Sequence, residues 1–164
     1  LKVQLMGSGT ILNEVREAAT NLRESFGIES DIWSLTSVNE LTRDGQAVDR
    51  WNLLHPESAP KKAYITEQLE GSAGPVIIAT DYMKNYAEQL RKYIERPLYV
   101  LGTDGFGRSD SRAALRKFFE VDRHFVVLAA LKVLADEGKI KTSVLSQAIK
   151  TFAIDPDKPN PLYV

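Results

Sequence analysis

The sequence predicts an α/β fold of three layers: a mainly parallel, twisted sheet with helices on both faces. The first observation is a set of four short apolar runs, "KVQLM", "DIWSL", "PVIIAT" and "PLYVLG", each bounded by Gly, Pro or charge as buried strands are. The second is helical periodicity between them. Strands that alternate with helices pair in parallel through right-handed crossovers.

The elements follow in order. Residues 2–6 form the first strand and end in the turn "GSGT" at Gly7 to Thr10. Ile11, Val15, Ala18, Ala19, Leu22 and Phe26 then recur on one face of a helix that Gly27 stops. Residues 37–74 are predicted to contain only helical fragments, such as one carrying Val48, Trp51 and Leu54, within a long irregular connection. Between the last two strands, Tyr82, Tyr86, Leu90 and Tyr93 lie at helical spacing, with Thr80 or Asp81 placed to cap. Asp110 is expected to cap a short helix carrying Leu115, Phe118 and Phe119, and Asp122 a longer one running to Gly138. That longer helix is apolar nearly all round and must be buried, or pressed against another domain. Thr142 opens a final helix with Leu145, Ile149 and Phe152 inward. The prolines of "DPDKPNPLYV" end it, leaving an extended tail that docks provided Tyr163 finds a partner.

Bulk properties set limits on function. A chain of 164 residues fits one domain, 1–164, and a compact domain of this size buries roughly 70% of the surface of its unfolded chain. A formal charge of -1 removes the general electrostatic case for nucleic acid or an anionic membrane. The absence of cysteine excludes disulfides, thiolate zinc sites and cysteine nucleophiles, in keeping with a reducing cytoplasm. "FVVLAALKVLA" is broken by Lys132 and too short for a bilayer. The first residue, Leu1, stands almost within a core strand, so the expectation is a piece of something longer.

Two stretches are candidate ligand sites. Gly7, Ser8, Gly9 and Thr10 sit where a doubly wound fold cradles phosphate against a helix N-terminus, but the dinucleotide fingerprint needs a glycine where this chain has Leu12. A tight strand-to-helix turn is the plainer reading. "VLGTDGFGRSDSR", residues 100–112, follows the carboxyl end of a strand and offers Asp104, Phe106, Arg108, Asp110 and Arg112. Arginines there suit a carboxylate or phosphate, whereas ion pairs and caps facing another domain use the same residues without a ligand. His55 and His124 lie far apart with no ligand spacing around them, and are read as structural. No G-x-S-x-G elbow supplies a nucleophile.

In order, "LMGSGTILNEVREAATNL", "SDIWSLTSVNELTRDGQ", "RWNLLHP", "IIATDYMKNYAEQLRKYI" and "VLGTDGFGRSDSRAALRKFFEVD" resemble the C-terminal domain of the homodimeric, bacterial-type pyruvate dehydrogenase first component. The glycine turn and its helix are shared with transketolase C-terminal domains generally. The resemblance implies the last domain of a three-domain enzyme that decarboxylates pyruvate on thiamine diphosphate and reductively acetylates a lipoyl group. It further implies partners: the other two domains, the homodimer mate and the dihydrolipoyl acetyltransferase component. Thiamine diphosphate and Mg are implied for the whole enzyme, with no catalytic, cofactor or metal residue in this domain. Their motif, G-D-G, is absent, since Asp44-Gly45 follows Arg43 and Asp104-Gly105 follows Thr103. The loop is then an interface with Phe106 as apolar anchor. Two other readings stand beside this one: a regulatory or partner-binding module that holds an anion or peptide at the strand carboxyl ends, and a free-standing nucleotide-binding enzyme.

Overall fold

A computed structural model describes residues 1–164. Strand β1 (Lys2–Ser8) is followed by a 3-10 turn (Gly9–Ile11), α1 (Leu12–Phe26) and β2 (Glu29–Leu35). Then come α2 (Val38–Leu54), α3 (Tyr64–Leu69), β3 (Val76–Ala79), α4 (Lys84–Glu88), a 3-10 turn (Arg91–Tyr93) and β4 (Leu98–Leu101). The chain continues with α5 (Arg112–Phe118), α6 (Arg123–Asp136), α7 (Thr142–Thr151) and a 3-10 turn (Pro161–Tyr163). The four strands lie in the order β2-β1-β3-β4, all parallel.

Alternation along the strands divides the core in two. Val3, Leu5, Ile77 and Ala79 face α1, α6 and α7, whereas Met6, Val76, Ile78 and Val100 face α2, α3 and α4. Helices thus cover both faces, giving the three-layer fold that the sequence predicts. No helix is long and apolar enough to cross a membrane.

Helix boundaries have local causes. Gly27 adopts φ 63° after α1 and its N–H bonds the carbonyl of Arg23, a left-handed C-cap that glycine takes without steric cost. Asp122 accepts from the backbone N–H groups of His124 and Phe125, as expected of the cap of α6. α6 is mostly buried and apolar, packed against α1, α7 and the sheet, with Lys132 and Asp136 paired on its exposed side.

Four expectations are corrected. Residues 37–74 hold two ordered helices: Ser37 caps α2, and Gly45 within it leaves room for the Tyr93 ring, which would stand 2.4 Å from a built Cβ. The irregular parts shrink to 55–63 and 70–74. Residues 82–93 do not form one helix, because Thr103 N–H takes the Tyr82 carbonyl and Thr80 Oγ1 accepts from Tyr82 N–H in a turn. Tyr82 is left exposed. Ser111 caps α5 by accepting from Ala114 N–H, while Asp110 accepts from Ser111 N–H one residue earlier. α7, by contrast, opens at Thr142 as predicted, without a side-chain cap, and packs Leu145 and Phe152 on the core beside buried Ala148. Finally, the tail docks through buried Pro161, with Tyr163 79% exposed.

Candidate functional site

The carboxyl ends of β1 and β3 form the point where the chain order reverses, the usual ligand crevice of open α/β sheets. Ser8 Oγ and Thr80 Oγ1 hydrogen-bond there at 2.7 Å and close its floor. Both hydroxyls are buried.

The glycine turn is shaped by packing. A Cβ on Gly7 would stand 2.8 Å from Leu12 Cα, so glycine lets α1 cross close to β1. The Thr10 hydroxyl and carbonyl accept from Arg116 at 3.2 and 3.4 Å. Asp81 faces the turn, its carboxylate 3.9 Å from a built Gly9 Cβ, and opposes an anion there. The side-chain oxygens of "GSGT" are therefore engaged within the chain.

The loop between β4 and α5 is held at both ends. Asp104 Oδ1 accepts from Lys84 N–H at 3.0 Å, with the Lys84 ammonium 3.8 Å from its other oxygen. Gly105, at φ 101°, presses on the tail; a Cβ there would come within 2.2 Å of the Pro161 carbonyl oxygen. Phe106 projects outward, 80% exposed. Arg108 lies over the Phe118 ring, 4.1 Å from its centroid, in a cation–π contact. Asp104 and Asp110 are thus not ion-pair partners of Arg108 or Arg112, because both are held by backbone N–H groups. Arg108, Arg112 and Arg116 share with Asp81 and Asp110 an open crevice of about 490 Å³. Around it Tyr82, Met83, Phe106 and Leu162 expose apolar surface.

Spacing gave no sign of the most buried charge. Glu14 of α1 accepts from Arg116 Nη1 at 2.8 Å, from Arg123 Nε at 2.9 Å and from Arg123 N–H at 3.0 Å. Burial pushes its carboxyl up, but the Arg123 hydrogen bonds and the two guanidinium charges outweigh this and hold it below the usual carboxylate range. The acid at the first turn of α1 and the arginine beside Asp122 were the available signals, separated by 109 positions. Arg116 so held also grips Thr10, locking α5 to the glycine turn.

Both Asp-Gly pairs take part in the fold. Asp44 accepts from Tyr64 N–H and Gly45 lies under Tyr93, while Asp104 is bound to Lys84. No three His, Asp or Glu residues come close enough together to hold a metal ion. His55 stacks on Trp51 and His124 on Phe152, with centroids 4.4 and 4.5 Å apart, which makes both packing residues.

This parallel sheet with helices on both faces goes with a defined class of protein domain: residues 1–122 match the transketolase-like C-terminal domain family, and the chain belongs to it. Beyond the family match, the chain is 63% identical over 98% of its length to the pyruvate dehydrogenase E1 component of Pseudomonas aeruginosa, and 53% identical over 99% to that of Cupriavidus necator. It is 53% identical over 98% to that of Escherichia coli K12. The chain spans about 18% of the length of these curated relatives. Among solved structures, "Split gene transketolase, inactive beta4 tetramer" shares the fold, with a TM-score of 0.55 and 19% identity over 82% of this chain and 39% of that one. Residues 123–164, with α6 and α7, lie beyond the family match and largely inside the similarity to the E1 components.

Proposed function

We propose that this chain is the C-terminal assembly domain of a thiamine-diphosphate-dependent pyruvate dehydrogenase component, which decarboxylates pyruvate and reductively acetylates the lipoyl group of an acetyltransferase partner in the bacterial cytoplasm. Near-complete coverage at 63% identity by an E1 component carries this reading. The domain's task is to pack against the rest of the subunit and its homodimer mate, by way of the apolar ring about Phe106. Thiamine diphosphate and magnesium do not fit the donors present, since both Asp-Gly pairs are engaged in the fold; no catalytic step is assigned here. Calorimetric titration of the chain with thiamine diphosphate and magnesium, with pyruvate decarboxylation assayed on the same sample, tests it. No heat and no turnover is expected. Saturable binding near one site per chain would move the cofactor into this domain and overturn the reading.

One observation favours a second reading, that of a module holding an anionic ligand or peptide at the strand carboxyl ends. Arg112 opens onto the crevice beside Arg108 and Arg116. The carboxylates of Asp81 and Asp110 in the same crevice weigh against it.

A further inference from the structure

The edge of the sheet opposite β4 carries a different kind of site. β2 is seven residues long and pairs only with β1. Glu29 N–H donates to the Leu1 carbonyl at 3.0 Å, which sets the phase of the parallel ladder. Alternate residues then turn their backbone groups the other way, so the N–H and C=O of Ser30, Ile32 and Ser34 point off the free edge. Long edges are usually blunted by proline, a bulge or an inward lysine. β2 has none of these, and its one interior charge, Asp31, is engaged by Lys2 and Gln4.

A groove flanks this edge on each face of the sheet. On the α1 side one of about 540 Å³ is lined by Arg16, Arg23 and Arg123, by Glu17 and Glu29, and by Ile32, which is 45% exposed, so arginines outnumber acids there. Arg123 is paired with Glu14 and Glu17, Arg23 reaches Glu24 only at 3.8 Å, and Arg16 has no ion-pair partner. On the other side one of about 470 Å³ runs between Trp33, Leu35, Leu41 and Tyr64 and is mostly apolar. Its acids, Glu40 and Asp44, bond Arg43 and the Tyr64 N–H. A strand laid on β2 would send successive side chains into these two grooves in turn, because side chains alternate with period two.

We propose that the free edge of β2 takes up an extended segment of a separate polypeptide in which acidic residues alternate with large apolar ones. The acids meet Arg16 and Arg23, and the apolar residues lie over Trp33 and Leu41. A second copy of this chain fits less well, since symmetric β2 pairing would set Arg16 and Arg23 against their own equivalents. The tail is at the wrong edge, docked at Gly105 after β4. Residue 1 lies in line with β1, paired to Glu29, and not along the outer edge.

The test is titration of the isotope-labelled chain with a short peptide alternating Glu with Leu, followed by amide shifts and hydrogen exchange. Saturable binding is expected, with exchange of Ser30, Ile32 and Ser34 slowed about tenfold or more. N-methylating alternate peptide bonds of the probe should abolish it. Ile32→Pro should also abolish it while leaving the β1 pairing intact, because the lost N–H faces outward. Arg16→Glu should weaken binding severalfold. The proposal is overturned if the methylated peptide binds as well as the parent, or if a folded Ile32→Pro chain still binds. It is equally overturned if these amides are already protected without peptide, by self-association or by another part of a longer polypeptide.

Discussion

Glu14 and Arg123 are joined three times: Oε2 accepts both the Arg123 backbone N–H at 3.0 Å and its Nε at 2.9 Å, and Oε1 accepts from its Nη2 at 3.3 Å. The bond thus holds the first turn of α6 by main chain as well as side chain, and α1 with it.

Glu14→Gln keeps the shape and removes the charge, leaving two guanidinium groups facing a neutral amide. The expected loss is about 2 kcal/mol, below the figure for a fully buried pair because Arg123 is 40% exposed. Urea denaturation of both chains measures it.

The same carboxylate gives stability an acid limb. Its folded pKa is depressed, so its contribution is present above the ordinary carboxylate range and lost as pH falls through the folded value. Denaturation midpoints across the acid range should fall less steeply in Glu14→Gln than in the parent. Parallel curves would contradict this.

Tyr93 acts at the opposite end of the scale. Burial and its hydrogen bond to Asp49 push the phenol up to about 12 from 10.0, so its contribution is complete below the ordinary value and lost as pH rises between the two. Of six tyrosines, it should ionise late in an ultraviolet absorbance titration, and Asp49→Asn should advance it.

Gly45→Ala would place a methyl into the Tyr93 ring. The favourable helix propensity of alanine offsets about 1 kcal/mol, and overpacking costs about 1–3, so a net loss is expected. Thermal unfolding of Gly45→Ala beside Gly45→Ala with Tyr93→Leu checks the cause: the second change should recover part of the first.

At the loop, Phe106→Ala is expected to change the stability of this chain by no more than about 0.5 kcal/mol, since the ring is 80% exposed. In the longer enzyme proposed above it should weaken dimerisation, read by sedimentation. Gly105→Ala, by contrast, should free the tail, seen as faster proteolysis after Ala153.

The fold was legible because its signals are local. Apolar runs marked all four strands, and Gly27 and Asp122 marked helix limits through backbone chemistry that needs no distant partner. What escaped depended on residues far off in sequence. Residues 37–74 showed only fragments because nothing in them says that Gly45 makes room for Tyr93, and the helix expected over 82–93 failed because Thr103 takes the Tyr82 carbonyl. The loop glycines were legible as turns, but Pro161 as the reason for Gly105 was not. Glu14 looked like any acid at a helix start, and its two arginines come from elements over a hundred residues later.

Beyond its first turn α6 turns little but Lys132 and Asp136 toward solvent and buries the rest against α1, α7 and the sheet. Inheritance is constrained by that dependence. A lineage cannot acquire or discard this helix alone, because an intermediate carrying α6 without Val144, Leu145 and Phe152 over it would be prone to clump in the cell. The two helices must be gained, lost or exchanged together, as one evolutionary unit appended to the sheet.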